Sequence, residues 1–242
     1  MTDILQTVGL TRAFGGVVAV DCVDLAIAEG ELRCLIGPNG AGKSTLFKCL
    51  TGQLRPTSGD VIFRGRSIAG RERHEVSRLG IAIKNQVPSV MGELSVRENI
   101  WLAARRHAHG TALERHMDEI LAEIGVGGEA GALIVDELSH AHRQWVELGV
   151  LLASKPALAL LDEPTAGMTR DEMLKTVKLI RRLNENAAIV VVEHDLDFIS
   201  LLATRVTVLH QGRVFLDGTM EDVAGSSAVR EIYLGKSWRP AA

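Results

Sequence analysis

The stretch Gly37-Pro38-Asn39-Gly40-Ala41-Gly42-Lys43-Ser44 has the spacing GxxxxGK[ST], and each residue type in it has a task on an anion. Glycine lets the backbone curl until its N–H groups converge on phosphate oxygens, and a helix opening at the end of the loop adds positive potential at the same point. Lys43 is expected against the β- and γ-phosphates of a nucleotide, Ser44 on Mg²⁺ and Thr45 on a phosphate. A second pair with chemical capacity is Asp162-Glu163, which closes the apolar run 157–161. A carboxylate at the C-terminal end of a buried strand reaches the crevice in which α/β folds hold ligands. Asp162 then suits Mg²⁺ through its water shell, and Glu163 suits the polarisation of an attacking water.

Those side chains need a scaffold that brings them together. An apolar segment at 32–36 leads into the glycine loop, and 44–50 reads as the helix that leaves it. Further short, nearly continuous apolar runs at 81–83, 157–161, 188–192 and 206–209 have the character of strands buried on both faces, which implies a parallel sheet flanked by helices. The first thirty residues instead alternate over 4–10 and 17–27, with a break at Gly15-Gly16, and predict an antiparallel layer. Between Val96 and Ala153 the period is helical, with Leu113, Met117, Ile120, Leu121 and Ile124 on one stripe. A further helix over 170–183 presents Met173, Leu174, Val177, Ile180 and Leu183, with Arg181 and Arg182 in its last turn, where the helix dipole favours cations. The expected fold is α/β: a P-loop NTPase core with a parallel sheet, an N-terminal antiparallel β layer and an inserted α-helical subdomain.

Bulk properties narrow the choice further. With 242 residues, 46% hydrophobic and 24% charged, the chain fits one large domain and excludes intrinsic disorder. A net charge of −3 gives no electrostatic footprint for nucleic acid, which is not expected as a partner. No apolar run approaches the ~18–20 residues that cross a bilayer, so this chain is not expected to form a pore by itself. The first residues carry Asp3 and lack a basic, then apolar, leader, so a cytoplasmic location is expected. Cys22, Cys34 and Cys49 are read as reduced, mostly buried small hydrophobes. The pairs His107, His109 and His140, His142 are read as surface or helix-end residues, because no Cys or acid cluster completes a ligand set. Arg64, Arg66, Arg71, Arg73 and Arg78 are read as a solvated face, Trp101 and Trp145 as packing residues, and Trp238 as part of a loose C-terminus.

Taken in order, the glycine loop, Gln86 after a strand, Leu138-Ser139 before a helix, Asp162-Glu163 and His194 after a strand resemble the ATP-binding-cassette (ABC) ATPase family over nearly the whole chain. The resemblance implies one cassette over 1–242, with 1–86 and 155–242 as catalytic core and approximately 87–154 as the helical signature subdomain. It implies ATP and Mg²⁺ as ligands. Gly37, Pro38, Asn39, Gly40, Ala41, Gly42, Lys43, Ser44 and Thr45 would hold the phosphates, and Ser44, Gln86 and Asp162 the metal. Glu163 would be the base, Gln86 would reach metal and water, and His194 would contact the γ-phosphate. Phe14 falls where the family places an aromatic on adenine. Ser139 would complete the site of a second ATPase subunit, in a homodimer or a related heterodimer.

Two segments depart from the family pattern. The signature reads Leu138-Ser139-His140-Ala141-His142-Arg143-Gln144 in place of LSGGQ, and Thr169 replaces the aspartate that ends Thr165-Ala166-Gly167-Met168-Thr169. Ser139 is still expected to cap a helix over 141–153 and offer its hydroxyl to a phosphate. If position 141 is helical, alanine is favoured over glycine by about 1 kcal/mol; if it needs a left-handed backbone, alanine costs about 1–2 kcal/mol. Weakened closure of the shared site with retained hydrolysis is expected.

In finer detail, Phe14-Gly15-Gly16, the stretch 36–52, Ala166-Gly167-Met168 and Tyr233-Leu234-Gly235 look like the ATPases of importers for branched-chain amino acids, urea or short-chain amides. That likeness implies a peripheral subunit on the cytoplasmic face of the inner membrane. Its partners would be integral-membrane permease subunits, received along 87–98, and indirectly an extracytoplasmic solute-binding protein. A soluble non-transport cassette and a cassette that binds nucleotide only to regulate a partner are the alternatives the sequence leaves open.

Overall fold

The apolar runs become five of the strands of a six-stranded sheet in this computed structural model, which describes residues 2–126 and 128–233. The chain begins with an antiparallel hairpin, β1 (Asp3–Phe14) and β2 (Val17–Ala28), turning at Gly15-Gly16. Next come β3 (Leu32–Ile36), the glycine loop and α1 (Lys43–Leu50). Strands β4 (Ser58–Phe63) and β5 (Arg66–Ser67), neither read separately in the sequence, extend the hairpin into a four-stranded antiparallel sheet of order β2-β1-β4-β5. The short α2 (Arg73–Arg78) then leads to β6 (Ile81–Lys84).

The segment after β6 is helical, as the period requires. It comprises α3 (Val96–Ala104), α4 (Gly110–Ile124), two 3₁₀ turns at Gly128–Ala132 and Val135–Glu137, and α5 (His140–Ser154). The predicted stripe of α4, from Leu113 to Ile124, is buried. Glycine at 149 lets α5 lie close to its neighbours, since a Cβ there would come within 2.9 Å of Ile100 Cδ1. The chain then alternates strand and helix: β7 (Leu158–Asp162), α6 (Arg170–Asn184), β8 (Ala188–Val192), α7 (Leu196–Leu202), β9 (Arg205–His210). Strand β10 (Arg213–Gly218) and helices α8 (Met220–Gly225) and α9 (Ser227–Tyr233) complete it.

The larger sheet has the order β10-β9-β3-β8-β7-β6, parallel throughout except for the β9–β10 pair. Its strands feed two cores. Cys34, Ile36, Ala159, Leu161, Ile189 and Val191 face the core shared with α3–α6. Leu35, Leu158, Leu160, Val190 and Val192 face α1 and the antiparallel sheet. Burial on both sides is why these strands lack the polar alternation of a half-exposed sheet.

Three packing expectations need correction. Cys22 is exposed, on a β2 residue with φ of 48°, where the hairpin register shifts, whereas Cys34 and Cys49 are buried. Leu174 is exposed, and the buried place beside Trp145 is taken by Thr176, whose hydroxyl accepts a bond of 3.0 Å from the indole N–H. Trp145 is core, but Trp101 is 37% exposed and lies beneath the Arg105 guanidinium at 4.4 Å. Arg64, Arg66, Arg71, Arg73 and Arg78 are all exposed. Trp238 and the segment Leu234-Gly235 lie outside the described residues.

Candidate functional site

Four neighbouring strands, β3, β8, β7 and β6, end on the same edge because they run parallel. Beyond those ends follow the glycine loop, His194, Asp162-Glu163 and Gln86. Residues separated by up to 157 positions of sequence (Gly37 to His194) thus share one rim, the place where open α/β sheets bind ligands.

The loop is built as its composition requires. Gly37, at φ of 152°, and Gly42, at φ of 99°, have no room for a side chain: an added Cβ would stand 2.2 Å from the Leu209 carbonyl oxygen and 2.2 Å from that of Ala19 respectively. Gly42 is the N-cap of α1, and the loop is fastened to the strand ends by the Gly212 N–H, which donates to the Ala41 carbonyl at 3.0 Å. Pro38, Asn39, Gly40 and Ala41 complete the turn, with Ala41 buried and Ser44 exposed on the first turn of α1. Lys43 Nζ donates to the carbonyls of Gly37 and Pro38 at 2.6 and 3.0 Å, so the cation is held across the loop mouth. Partial burial holds this ammonium below its usual range, against the pull of Glu163 and Asp162. Phosphate oxygens at that position would favour the charged form.

Opposite the lysine stand the acids. Burial, and then repulsion from Glu163, push Asp162 above the usual carboxylate range, while Lys84 and Lys48 pull it back. A carboxylate held at that cost beside a second acid fits a divalent cation, and the hydroxyl of Ser44, the amide oxygen of Gln86 and the Asp162 carboxylate are the hard oxygen donors that Mg²⁺ takes together with phosphates. Such an ion would neutralise charge on the transferring phosphoryl group.

Glu163 has φ of 43°, a left-handed conformation that costs a non-glycine residue about 1–3 kcal/mol and that clusters at functional sites. Its backbone N–H donates to the Val192 carbonyl at 2.9 Å. Gln86 Nε2 donates to Glu163 Oε2 at 2.8 Å, and His194 Nδ1 lies 3.7 Å from Glu163 Oε1. The structure therefore joins Gln86, Glu163 and His194 around one carboxylate, as a base with two polar neighbours requires.

Phe14, expected on adenine, and Ser139, expected to serve a second subunit, stand outside the strand edge. Phe14 is 44% exposed at the turn of the hairpin whose Ala19 abuts Gly42, with the Arg12 guanidinium 4.5 Å above its ring. Ser139 is the N-cap of α5, and its hydroxyl contacts His142 Nδ1 at 2.7 Å within its own helix. Ala141 lies inside α5, so the helical alternative holds, and alanine favours the helix at that position. Helix α5 starts one residue earlier than expected, at His140. Thr169 is the N-cap of α6 in a reciprocal bond with Glu172, the capping box that threonine at this position forms.

The sequence reading overlooked Glu193. This carboxylate is 1% exposed and accepts from the Thr165 hydroxyl at 2.6 Å, from the Thr165 N–H at 3.2 Å and from the His194 N–H at 3.0 Å. It ties the loop after Glu163 to the loop carrying His194. An acid directly after an apolar strand was the available signal, and it was indistinguishable from a solvated strand end.

A glycine loop over parallel strand ends, with the Asp162-Glu163 pair on the same edge, is the arrangement of a P-loop nucleotide-hydrolysing ATPase. The model of the ABC transporter family matches residues 20–166. The chain belongs to that family, as an ATP-binding cassette. It is 36% identical over 98% of its length to the ribose import ATP-binding protein RbsA 1 of Rubrobacter xylanophilus, of which it spans 48%. It is 31% identical over 97% of its length to the high-affinity branched-chain amino acid transport ATP-binding protein BraF of Pseudomonas aeruginosa, of which it spans 98%. Among solved structures it superposes on the ADP conformation of MJ1267, an ATP-binding cassette of an ABC transporter, with a TM-score of 0.85 at 26% identity, covering 98% of this chain and 100% of the other. No helix among the described residues is long and apolar enough to cross a membrane.

Proposed function

We propose that this chain is the ATP-binding and hydrolysing subunit of an importer for a small polar solute, of the class of branched-chain amino acids, urea or short amides. The observation that carries the catalytic part is the contact between Gln86 and Glu163 on the strand edge that also bears Lys43. In this reading the glycine loop and Lys43 orient the triphosphate, Ser44, Gln86 and Asp162 hold Mg²⁺, and Glu163 aligns water on the γ-phosphorus. His194 contacts the γ-phosphate, Phe14 meets the adenine, and Ser139 reaches the nucleotide of a second ATPase subunit.

The solute class is supported by BraF, which matches over nearly its full length. The ribose importer relative, with 36% identity, favours a sugar as the second reading. Permease subunits and an extracytoplasmic binding protein would be the partners, and the chain would sit peripherally at the cytoplasmic membrane face. Copurification of the permease and identification of its bound solute distinguishes the two solute classes.

Glu163→Gln tests the chemistry. Loss of the base should lower phosphate release by about 10²–10⁴-fold while MgATP binding survives, and the variant should accumulate as an ATP-bound dimer in light scattering. Unchanged turnover of gel-filtered Glu163→Gln would refute the assignment.

A further inference from the structure

The loop that carries Gln86 is fastened to α5 by a buried acid. Glu147, in the middle of α5, is 3% exposed and accepts the Ser89 N–H through Oε1 at 2.9 Å. Its other oxygen, Oε2, is buried without a hydrogen-bond partner and lies 3.8 Å from the ammonium of Lys84, a residue with no exposure at all. Lys84 ends β6 and donates to the Asn85 carbonyl at 3.2 Å. Asn85 Nδ2 in turn donates to Ser89 Oγ at 3.0 Å. Gln144, one turn earlier on α5, sends Nε2 to the Gln86 carbonyl at 3.4 Å. One carboxylate on α5 thus hydrogen-bonds the far end of the segment 85–89 at Ser89 and pairs with Lys84, the residue just before its near end.

Burying two charges is costly, and an apolar pair of similar volume would pack there at least as well. Cohesion alone therefore does not account for Lys84 and Glu147. We infer that Glu147 is a positioning residue for the hydrolysis reaction. It fixes the loop 85–89 through the Ser89 N–H, with Lys84 balancing its charge, and so sets the 2.8 Å contact of Gln86 with Glu163. Because Glu147 lies on the helix that Ser139 caps, the carboxylate of Glu163 is mechanically tied to the position of α5. The inference rests on the roles proposed above for Gln86 and Glu163.

Two neutral double variants separate positioning from cohesion, since neither leaves an unpaired buried charge. In Lys84→Met/Glu147→Gln the amide oxygen at 147 still accepts the Ser89 N–H; in Lys84→Met/Glu147→Met nothing does. Both should be folded by thermal unfolding. The second should show a kcat for ATP at least tenfold below the first, with KM for MgATP within twofold. Equal kcat values in the two variants, or a loss confined to KM, would overturn the inference. If instead Glu163→Gln turned over ATP normally, the underlying site assignment would fall, whatever the double variants did.

Discussion

Lys43 spans the mouth of its own loop. It bridges the carbonyls of Gly37 and Pro38 at the loop mouth, where the backbone N–H groups await an anion of opposite charge. Under the proposed function Lys43 makes a charge-assisted contact to phosphate, worth about 1.5–3 kcal/mol, so Lys43→Ala should weaken MgATP affinity by about 10- to 150-fold. A fluorescence titration superimposable on that of wild type would contradict this. Glu163 carries a different burden, a strained backbone, and Glu193 secures the adjoining loop by three accepted hydrogen bonds. Lys43 and Glu163 were legible from their motifs. Glu193 was not, because the same letter in the same place describes both a solvated strand end and a buried acceptor.

Among the helices, α5 and α6 meet through polar as well as apolar contacts. The indole N–H of Trp145 donates to Thr176, and the ammonium of Lys175 sits 3.7 Å from the centroid of the Trp145 ring. Thr176→Val keeps the volume but leaves a buried donor unpaired, at a cost of about 1–3 kcal/mol. For a chain of this size the unfolding temperature should fall by about 2–4 °C per kcal/mol. A scanning-fluorimetry midpoint unchanged to within a degree would show that the bond carries no weight. The helical stripe correctly marked the buried face of α4, where apolar residues recur every three or four positions. It erred at Leu174 and Thr176 because periodicity ranks residues by hydrophobicity, and a threonine whose hydroxyl meets Trp145, Met168 and the Glu172 carbonyl can outrank a leucine at the rim.

For the assembled cassette, Ser139 is engaged within its own helix, and under the proposed function it serves a neighbouring subunit's nucleotide. If the partner is a second copy, Lys43→Ala and Ser139→Ala should each be inactive alone. Mixed, they should recover about a quarter of the wild-type phosphate release, because random pairing makes half the dimers mixed and each mixed dimer has one intact site of two. Activity no higher than that of either variant alone would assign the partner to a different chain, or Ser139 to a different task.

The glycine loop, the acid pair and the alternation of buried strands with amphipathic helices were written in the chain itself, because each depends on residues within a few positions of one another. Backbone curl, helix start and double-sided burial are local consequences of residue type. The meeting of Gln86, Glu163 and His194, the anchoring by Glu193 and the Lys84–Glu147 pair beneath the loop were decided by tertiary structure. They depend on the strand order β3-β8-β7-β6, which sets side by side segments that chain order keeps apart, and on where α5 lies against that edge. Hydrophobic periodicity specifies that a strand is buried on both faces without specifying which strand lies beside it.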